Sequence, residues 1–483
     1  MVKMKKESCG IFGTFSSDEN ETSRMIYRGL IAIQHRGQES SGIAVLDGTK
    51  IRLKKFMGLV TNTFIPTLLN QMKGKIGLGH VRYSTVGASS VKDAQPFQTD
   101  YPKRGIVLAH NGNLVNYMGL RKEFTEKGRK LISTCDAELC LHVLAEEMSK
   151  SKDIEDAALG LMERVEGSYS ITCFTSDGEL ITFRDPFGFR PLCYGENKDT
   201  KIFASESVAL ETNGVELKSD VKAGELIICD KKGKLEKRQV VSCKNTAHCM
   251  FEYVYFSRPD SILDGKSVYD VRVRLGENLA KTYASDADLI VPVPDTSRSA
   301  AEGISRVTGI PVAEGLIKNR YIGRTFIMPS QQMRDEAIYV KLNPIKSVLK
   351  DKHIILVDDS IVRGTTSKKI VNMIKKAGAK KVDLWITCPP IVSPCFYGID
   401  ISTHGELIAF NNTVPEIEKI IGADNLCYQK RDCLIDSIGH KSCDLCMACL
   451  TGEYRTPIAQ KIADKMKNQT SLKKVRYWEA EMS

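Results

Sequence analysis

Residues 354–366, with the sequence IILVDDSIVRGTT, constrain the fold of this 483-residue chain more than any other segment. The first four residues are aliphatic, which is typical of a strand buried on both faces inside a parallel sheet. Two carboxylates, a short polar loop and a glycine follow, and then apolar residues recur at helical spacing. The N–H groups of such a loop and the positive end of the helix dipole can bind a phosphate group. The segment therefore predicts an α/β domain with a phosphate site at the end of a central strand.

The polar side chains of this segment indicate what binds beside the phosphate. Asp358 and Asp359 are acceptors that suit sugar hydroxyls or a Mg²⁺ shell. The hydroxyls of Thr365 and Thr366 can add donors to the phosphate site, and Gly364 lets the backbone approach the ligand closely. An Asp-Asp pair alone is more often a solvated turn, but an Asp-Asp pair followed by Arg-Gly-Thr-Thr predicts a binding loop.

This segment resembles the 5-phosphoribosyl-1-pyrophosphate (PRPP) motif of type I phosphoribosyltransferases. The version with Ser-Ile-Val-Arg between the acids and the glycine is similar to that of the glutamine PRPP amidotransferase family. The resemblance implies a lid at residues 318–330 that closes over PRPP, and one Mg²⁺ per subunit held by Thr296 and the two aspartates. The implied PRPP-binding residues are Asp358, Asp359, Ser360, Arg363, Gly364, Thr365, Thr366, Lys318 and Arg324.

The composition limits the remaining possibilities. A chain of 483 residues with 42% hydrophobic and 27% charged residues predicts a globular protein of two domains. The net charge of +10 is spread along the chain and suits a phosphate-rich substrate, so we expect no nucleic-acid partner. Fifteen cysteines without an apolar signal segment or a membrane-spanning run predict a cytoplasmic protein whose clustered thiols bind metal rather than pair.

An α+β domain is predicted for residues 9–241, after a short basic segment at residues 1–8. Helical spacing over residues 22–34 predicts a helix, and alternating residues around two Asp-Gly turns predict hairpins at 42–53 and 169–183. Short strands at 213–241 are expected to close the edge of this domain. Polar groups end two further apolar strands, at 78–85 and 108–113, where a site is expected.

Cys9 has two interpretations. A lone cysteine at the start of a strand is more often a small buried hydrophobic residue. If residues 1–8 are removed, however, the α-amine of Cys9, with a reference pKa of about 7.7–8.0, can act as the base for its own thiol.

From Cys9 to about residue 215, the chain is similar to class II glutamine amidotransferase domains of the N-terminal-nucleophile type, a sandwich fold. The resemblance implies that Cys9 is the nucleophile and that Asn111 and Gly112 form the oxyanion hole. It also implies that Arg82 binds the α-carboxylate of glutamine and Asp136 its α-ammonium, and that Arg36 lies on a loop that closes over the substrate. A tetrahedral intermediate needs preorganised donors, and a guanidinium suits a carboxylate. We expect His80 and His110 to be structural.

Residues 242–450 show alternating helix and strand patterns, which predict a parallel sheet with right-handed crossovers. The expected elements are a helix at 268–283, a strand at 289–293, a helix after Ser297, and strands at 310–312 and 382–387. The resemblance to type I phosphoribosyltransferases implies that this domain has their fold. Residues 451–483 are expected to be a basic helical tail.

Cys443, Cys446 and Cys449 have the close spacing of a ligand cluster. Zinc and an iron–sulfur cubane both take four thiolates, and spacing alone leaves that choice open. The resemblance to cluster-bearing, propeptide-processed members of the family implies one 4Fe–4S cluster per subunit. The implied ligands are Cys249, Cys395, Cys446 and Cys449.

The expected reaction joins the two domains. Glutamine loses its amide nitrogen at the first site, ammonia moves through an internal passage, and PRPP becomes 5-phosphoribosylamine, the first committed step of purine synthesis. The resemblance also implies feedback by purine nucleotides and a homotetramer. A PRPP-sensing transcription regulator would lack the nucleophile, an asparagine synthetase would need an ATP-pyrophosphatase loop, and a glutamine-dependent sugar isomerase would lack Asp358-Asp359.

Overall fold

The computed structural model describes residues 9–83, 90–100, 104–151, 153–319, 342–401 and 403–468. Within these ranges, two antiparallel sheets form the first half of the chain and a parallel sheet forms the centre of the second half. Most of the expected lid at 318–330 and residues 469–483 of the expected basic tail lie outside these ranges, and residues 1–8 lie wholly outside them. No helix in the described part of the chain has the length and apolar character needed to span a membrane.

Two stacked sheets make up the first half. Seven described strands form one sheet in the order β11-β9-β10-β1-β4-β2-β3, and six form the other in the order β13-β12-β8-β7-β6-β5. The strands are β1 (Gly10–Ser16), β2 (Ser40–Asp47), β3 (Lys50–Met57), β4 (Ile76–Arg82), β5 (Phe97–Thr99), β6 (Ile106–Leu114), β7 (Gly167–Thr175), β8 (Leu180–Arg184), β9 (Cys193–Glu196), β10 (Thr200–Ala204), β11 (Leu217–Asp220), β12 (Glu225–Cys229) and β13 (Leu235–Gln239).

Apolar side chains from both sheets meet between them, and helices cover the two outer faces. Leu78 and Val107, from different sheets, share the inner core, whereas Ile26 and Leu144 belong to the two outer cores. The helices are Thr22–Ala32, Val60–Thr63, Pro66–Asn70, Tyr117–Glu126, Asp136–Lys150, Ile154–Arg164 and Val208–Glu211, with 3₁₀ turns at Gln34–Arg36 and Val91–Asp93. The first half is therefore the predicted α+β sandwich, in four layers.

Both predicted hairpins are confirmed, as β2 with β3 and β7 with β8. The predicted helix at 22–34 ends at Ala32 and continues as the 3₁₀ turn. β11 and β13 are edge strands, which confirms that this part of the chain closes the sheets.

The second half is built on a parallel sheet in the order β17-β20-β21-β22. The described strands of the second half, including those outside this sheet, are β14 (His248–Cys249), β15 (Ile262–Leu263), β16 (Lys266–Ser267), β17 (Leu289–Pro292), β18 (Leu316–Lys318), β19 (Leu342–Pro344), β20 (His353–Asp358), β21 (Lys381–Ile386), β22 (Asn425–Tyr428) and β23 (Leu445–Cys446). Its helices are Val268–Thr282, Arg298–Thr308, Lys346–Leu349, Thr365–Lys376, Ile408–Asn411, Val414–Ile421, Arg431–Ile438, Ala448–Thr451 and Pro457–Asn468. Short turns occur at Glu252–Phe256 (π-helical), His404–Glu406 and Ser442–Asp444.

β20 is the predicted central strand, and its residues 354–357 are at most 1% exposed. One expectation about this sheet was wrong. The predicted strand at 310–312 is reduced to an isolated bridge between Ile290 and Val312, and β22 was not predicted.

Candidate active sites

Cys9 lies immediately before β1, opposite the end of β4, because Gly10 pairs with Val81. Its Sγ lies 3.7 Å from the carbonyl oxygen of Tyr83, to which the thiol donates. Burial raises the pKa of the Cys9 thiol, although the Tyr83 bond and Arg82 act in the opposite direction. A thiol with a raised pKa is protonated at neutral pH, so it needs a base close to it before it can attack.

Arg82 and Asp136 lie near this thiol. The pKa of Arg82 is raised overall. Burial lowers it, but the charges of Cys135, Cys9 and Glu39 together raise it by more. Glu39 is 3.7 Å from the Arg82 guanidinium. Asp136 is the first residue of the helix Asp136–Lys150, where the dipole favours a carboxylate, and its Oδ2 accepts from the backbone N–H of Leu114 at 3.1 Å. A cation and an anion therefore both act on the Cys9 thiol, Arg82 lowering its pKa and Asp136 raising it.

Asn111 and Gly112 lie on β6, in the other sheet, and a cross-sheet contact brings them close to the end of β4. His80 Nε2 on β4 lies 3.1 Å from the carbonyl oxygen of His110. Asn111 is 1% exposed, and its Nδ2 has no hydrogen-bond partner among the described residues. A Cβ at Gly112 would lie 1.9 Å from the carbonyl oxygen of Ser168, so only glycine fits there. A buried donor without a partner is what an oxyanion hole provides before substrate binds.

The two histidines of this region are buried and neutral. Burial lowers the pKa of His80 to about 3 and also lowers that of His110. The His110 ring lies 3.4 Å from the carbonyl oxygen of Ser168 through Nε2 and 3.8 Å from Asp136 through Nδ1. The His80 ring therefore links the two sheets and the His110 ring links β6 to β7. Their lowered pKa values leave both rings unprotonated and weakly basic at neutral pH.

Arg36 differs from the expectation. The sequence interpretation put it on a loop that closes over the substrate, but it lies in the 3₁₀ turn Gln34–Arg36 and is 1% exposed. Its guanidinium pairs with Glu206 at 2.5 Å and Glu252 at 2.7 Å, and its Nε donates to the carbonyl oxygen of Cys9 at 3.1 Å. The loop placement was wrong because two buried carboxylates distant in sequence hold this side chain.

The predicted PRPP loop begins where β20 ends. Asp359 Oδ2 accepts from Thr296 Oγ1 at 2.8 Å, and Asp359 Oδ1 accepts from Ser360 Oγ at 2.6 Å. The backbone N–H of Asp359 donates to Asp358 Oδ1 at 2.9 Å. The acids and the Thr296 hydroxyl therefore share one edge of the sheet, as predicted from the two strand ends.

The rest of the PRPP loop leads into the helix Thr365–Lys376. Gly364 precedes this helix with φ of +73°, a conformation that favours glycine, and Thr365 and Thr366 occupy its first turn. Arg363 pairs with Glu406 at 2.7 Å. Lys318 is the last residue of β18, and its Nζ is 2.6 Å from Asp295. Arg324 lies outside the described residues.

The four cysteines proposed as cluster ligands come together from three segments. Cys249 and Cys446 are opposite each other in the parallel pair β14 and β23. The carbonyl oxygen of Cys449 accepts from the N–H groups of Val392 and Ser393, which lie three and two residues before Cys395. Burial, and then the charges of neighbouring thiols, raise the pKa of Cys446 and Cys449. Cys249 and Cys395 act on both of them. The exposed Cys443 is not part of this group.

This thiol group can be tested against the two metal centres left open above. Among the described residues, no three His, Cys, Asp or Glu side chains converge closely enough to hold a single metal ion. Four thiolates around one zinc ion would stand within about 4 Å of one another, whereas a cubane separates them further. Arg190 also lowers the pKa of Cys249 and Cys395 against the effect of burial. The charge of Arg190 therefore favours the thiolate form that any metal-bound cysteine takes.

Three buried charged residues around these sites were not predicted: Glu206, Arg190 and Glu252. None belongs to a motif, and their partners lie from 62 to 216 residues away in sequence. Of the three, only Glu252 lies near a residue that the sequence had singled out, since it comes three positions after Cys249.

Two domain families match the chain. The glutamine amidotransferase domain family matches residues 80–212, and the phosphoribosyl transferase domain family matches residues 259–391. These ranges lie in the two halves described above. Together with the sandwich and the parallel sheet, they define a glutamine-dependent phosphoribosyl-transferring enzyme.

Relatives match over nearly the whole chain. The amidophosphoribosyltransferase of Methanothermobacter thermautotrophicus is 46% identical over 95% of this chain and 97% of its own length, and that of Methanocaldococcus jannaschii is 47% identical over 93% and 98%. A solved structure of glutamine PRPP amidotransferase from Bacillus subtilis, complexed with ADP and GMP, is 40% identical, covers 93% of this chain and 98% of its own, and has a TM-score of 0.86. The chain belongs to the amidophosphoribosyltransferase family. Its reaction is the amination of PRPP with nitrogen from glutamine, in purine biosynthesis.

Proposed function

We propose that Cys9 releases ammonia from glutamine and that the loop at 358–366 holds the PRPP that receives it. In this proposal residues 9–241 are the glutaminase domain and residues 242–450 are the phosphoribosyltransferase domain. The carrying observation is that residues 395–401 contact both halves. The Tyr397 carbonyl oxygen accepts from Ser168 of the first half at 2.9 Å, while residues 399–401 line a cavity with residues 362 and 363 of the PRPP loop.

The glutamine half of the reaction begins with removal of residues 1–8, which frees the α-amine of Cys9 as the base. Arg82 binds the α-carboxylate of glutamine and Asp136 binds its α-ammonium. Sγ then attacks the amide carbon, and the oxyanion that forms accepts hydrogen bonds from Asn111 Nδ2 and the backbone N–H of Gly112. As this intermediate collapses and its C–N bond breaks, the α-ammonium of Cys9 passes the proton taken from the thiol to the departing nitrogen, which leaves as ammonia. Water then hydrolyses the thioester to glutamate and restores the thiol. In this scheme Arg36 acts on the carbonyl of Cys9 rather than on glutamine.

The PRPP half uses the loop as a binding site. Backbone N–H groups and the hydroxyls of Ser360, Thr365 and Thr366 bind the 5-phosphate, while Asp358 and Asp359 accept from ribose hydroxyls. Arg363, Lys318 and Arg324 add positive charge around the ligand. Ammonia forms a bond to C1 of the ribose as the C1–O bond to pyrophosphate breaks. A bound Mg²⁺, one per subunit and liganded by Thr296, Asp358 and Asp359, would offset the charge of the departing pyrophosphate.

An internal passage for ammonia is part of the proposal. A cavity in the second half, beside the PRPP loop, is lined by Phe251, Tyr255, Phe256, Val362, Arg363, Ile399, Asp400 and Ile401. It measures about 10 Å³, roughly the space of one water-sized probe. Aromatic and aliphatic walls would keep ammonia unprotonated, and the walls must move apart to connect the two sites. We propose that PRPP binding and lid closure produce that movement.

The four-cysteine group is proposed to hold a 4Fe–4S cluster, one per subunit, through Cys249, Cys395, Cys446 and Cys449. The reaction transfers no electrons, so the cluster's role would be structural or oxygen-sensing. Iron and sulfide analysis, with visible absorbance of anaerobically purified protein, tests this assignment. Four irons and four sulfides per chain are expected, and a Cys446→Ser variant should lose them; zinc alone would refute the cluster.

Regulation and assembly follow the family in this proposal. Because the Bacillus subtilis structure is complexed with ADP and GMP, purine nucleotides are proposed to compete with PRPP, in a homotetramer. Nucleotide inhibition that more PRPP relieves would support competition, and sedimentation gives the number of subunits. The cytoplasmic location and the absence of a nucleic-acid partner stay predictions.

The decisive test compares two nitrogen sources. With PRPP and Mg²⁺, the purified protein should form pyrophosphate with either glutamine or free ammonia. Cys9→Ala should abolish the glutamine-dependent rate and leave the ammonia-dependent rate, whereas Asp358→Asn should lose both. Cys433→Ala, at a partly exposed cysteine away from both sites, is the matched control. Loss of both rates in Cys9→Ala would refute the division of labour, and intact mass of the active protein should begin at Cys9.

A further inference from the structure

Two buried arginines and a carboxylate form a chain of contacts between the halves of the molecule. Arg36, Glu252 and Arg190 have side chains that are at most 2% exposed. Glu252 Oε1 accepts from Arg36 NH2 at 2.7 Å and from Arg190 NH1 at 3.0 Å. Arg36 and Arg190 belong to the first half and Glu252 to the second, so one carboxylate from the second half joins two cations of the first.

One end of this chain reaches the nucleophile. Arg36 Nε donates to the carbonyl oxygen of Cys9 at 3.1 Å, and Arg36 NH1 is held by Glu206. A guanidinium fixed at three of its nitrogens cannot rotate without breaking a buried ion pair, which is costly. The main chain of Cys9 therefore takes its position in part from Glu252.

The other end reaches the strand that carries the oxyanion-hole residues. Arg190 Nε and NH2 both donate to the carbonyl oxygen of Tyr397, at 3.0 and 2.7 Å. The next residue, Gly398, packs on that strand, since a Cβ there would lie 3.0 Å from the carbonyl oxygen of Gly112. Asn113 Nδ2 donates to the carbonyl oxygen of Phe396 at 2.8 Å. Residues 396–398 thus follow the end of β6 beside Asn111 and Gly112.

We infer that Glu252 and Arg190 are positioning residues for the glutaminase reaction, because together they set the distance between the Cys9 main chain and the oxyanion-hole strand. The inference rests on the proposed roles of Cys9, Asn111 and Gly112. Neither residue touches glutamine in this assignment, so binding through Arg82 and Asp136 is retained when the chain of contacts is broken. A misplacement of about 1 Å between reacting groups can lower a rate by about 100-fold.

The test measures glutamine-dependent and ammonia-dependent synthesis in the full-length protein with PRPP and Mg²⁺. Glu252→Gln should lower the ratio of the two rates by about tenfold to 100-fold, through kcat for glutamine hydrolysis, with the KM for glutamine changing less than threefold. Arg190→Gln should do the same, and Arg190→Lys, which keeps the charge but not both bonds to Tyr397, should lose less.

A second buried ion pair between the halves supplies the control. Arg184 and Asp264 pair at 2.7 Å with side chains 1% and 12% exposed, but Asp264 has no contact with Cys9 or with residues 396–398. Asp264→Asn should weaken the domain junction without changing the rate ratio. An unchanged ratio in Glu252→Gln, an equal fall of both rates, or an equal effect of Asp264→Asn would overturn the inference. If instead Cys9→Ala keeps the glutamine-dependent rate, the proposed function itself fails.

Discussion

Asn111 offers a prediction in which activity and stability separate. Its amide is buried, and Nδ2 has no partner among the described residues, so the fold gains nothing from that donor. Loss of one oxyanion-hole donor typically lowers a rate by about 10²–10³, which corresponds to about 2.7–4.1 kcal/mol of transition-state stabilisation. Asn111→Ala should therefore lose that factor in glutamine hydrolysis. Its ammonia-dependent rate should stay within about twofold, because β6 lies in the other half of the chain.

Asn116 is the matched control, because its amide is fully used. Nδ2 donates to the carbonyl oxygen of Arg164 at 2.8 Å, and Oδ1 accepts from the N–H of Glu166 at 3.1 Å. Asn116→Ala leaves two part-buried backbone groups unpaired, so it should cost about 1–3 kcal/mol in the free energy of unfolding and leave the rate ratio unchanged. The assays are glutamate release, pyrophosphate release with ammonia, and urea unfolding. A glutamine-dependent rate within about threefold of wild type in Asn111→Ala would refute the oxyanion role.

Three further variants test other parts of the account. Arg82→Lys should raise the KM for glutamine by about tenfold or more, since a single ammonium cannot replace a bidentate guanidinium; an unchanged KM would contradict this. Gly364→Ala should raise the KM for PRPP, because φ is +73° there and a Cβ would lie 2.5 Å from Ile408 Cδ1; a KM equal to wild type would show that the loop tolerates a side chain. Burial and the charge of Asp264 raise the pKa of Asp220 to about 6, whereas an unfolded Asp titrates near 3.9, so the native state binds this proton more tightly. The free energy of unfolding should then fall as pH rises from about 4 to about 6, and Asp220→Asn should remove that part of the slope in urea titrations at several pH values; a slope identical to wild type would contradict the shifted pKa.

The local patterns of this sequence predict its elements well, because the physical causes are local. Period-two alternation around Asp47-Gly48 and Asp177-Gly178 fixes the hairpins, and four aliphatic residues before Asp358 fix the central strand. The strand Asn425–Tyr428 was not predicted because four residues are too few to show a pattern of their own. It is recognised as a strand through its pairing with β21.

Long-range charge pairing could not be predicted in the same way. Arg36 is buried because Glu206 and Glu252 meet it from 170 and 216 residues away, and neither residue belongs to a recognisable motif. The edge formed by Thr296 and Asp359 could be predicted, since parallel strands end on the same side of a sheet. The unpartnered amide of Asn111 is visible only once the strands are packed.

The central claim is that the nitrogen atom released from glutamine at the first site passes through the interior of the protein to PRPP at the second site. The most direct measurement supplies glutamine labelled with ¹⁵N in its amide, together with an equal concentration of unlabelled ammonium, and determines the ¹⁵N content of the 5-phosphoribosylamine formed. The account predicts a product labelled far above the free ammonia pool, since nitrogen released at Cys9 reaches PRPP without equilibrating with solvent. A product with the same ¹⁵N content as that pool would contradict it.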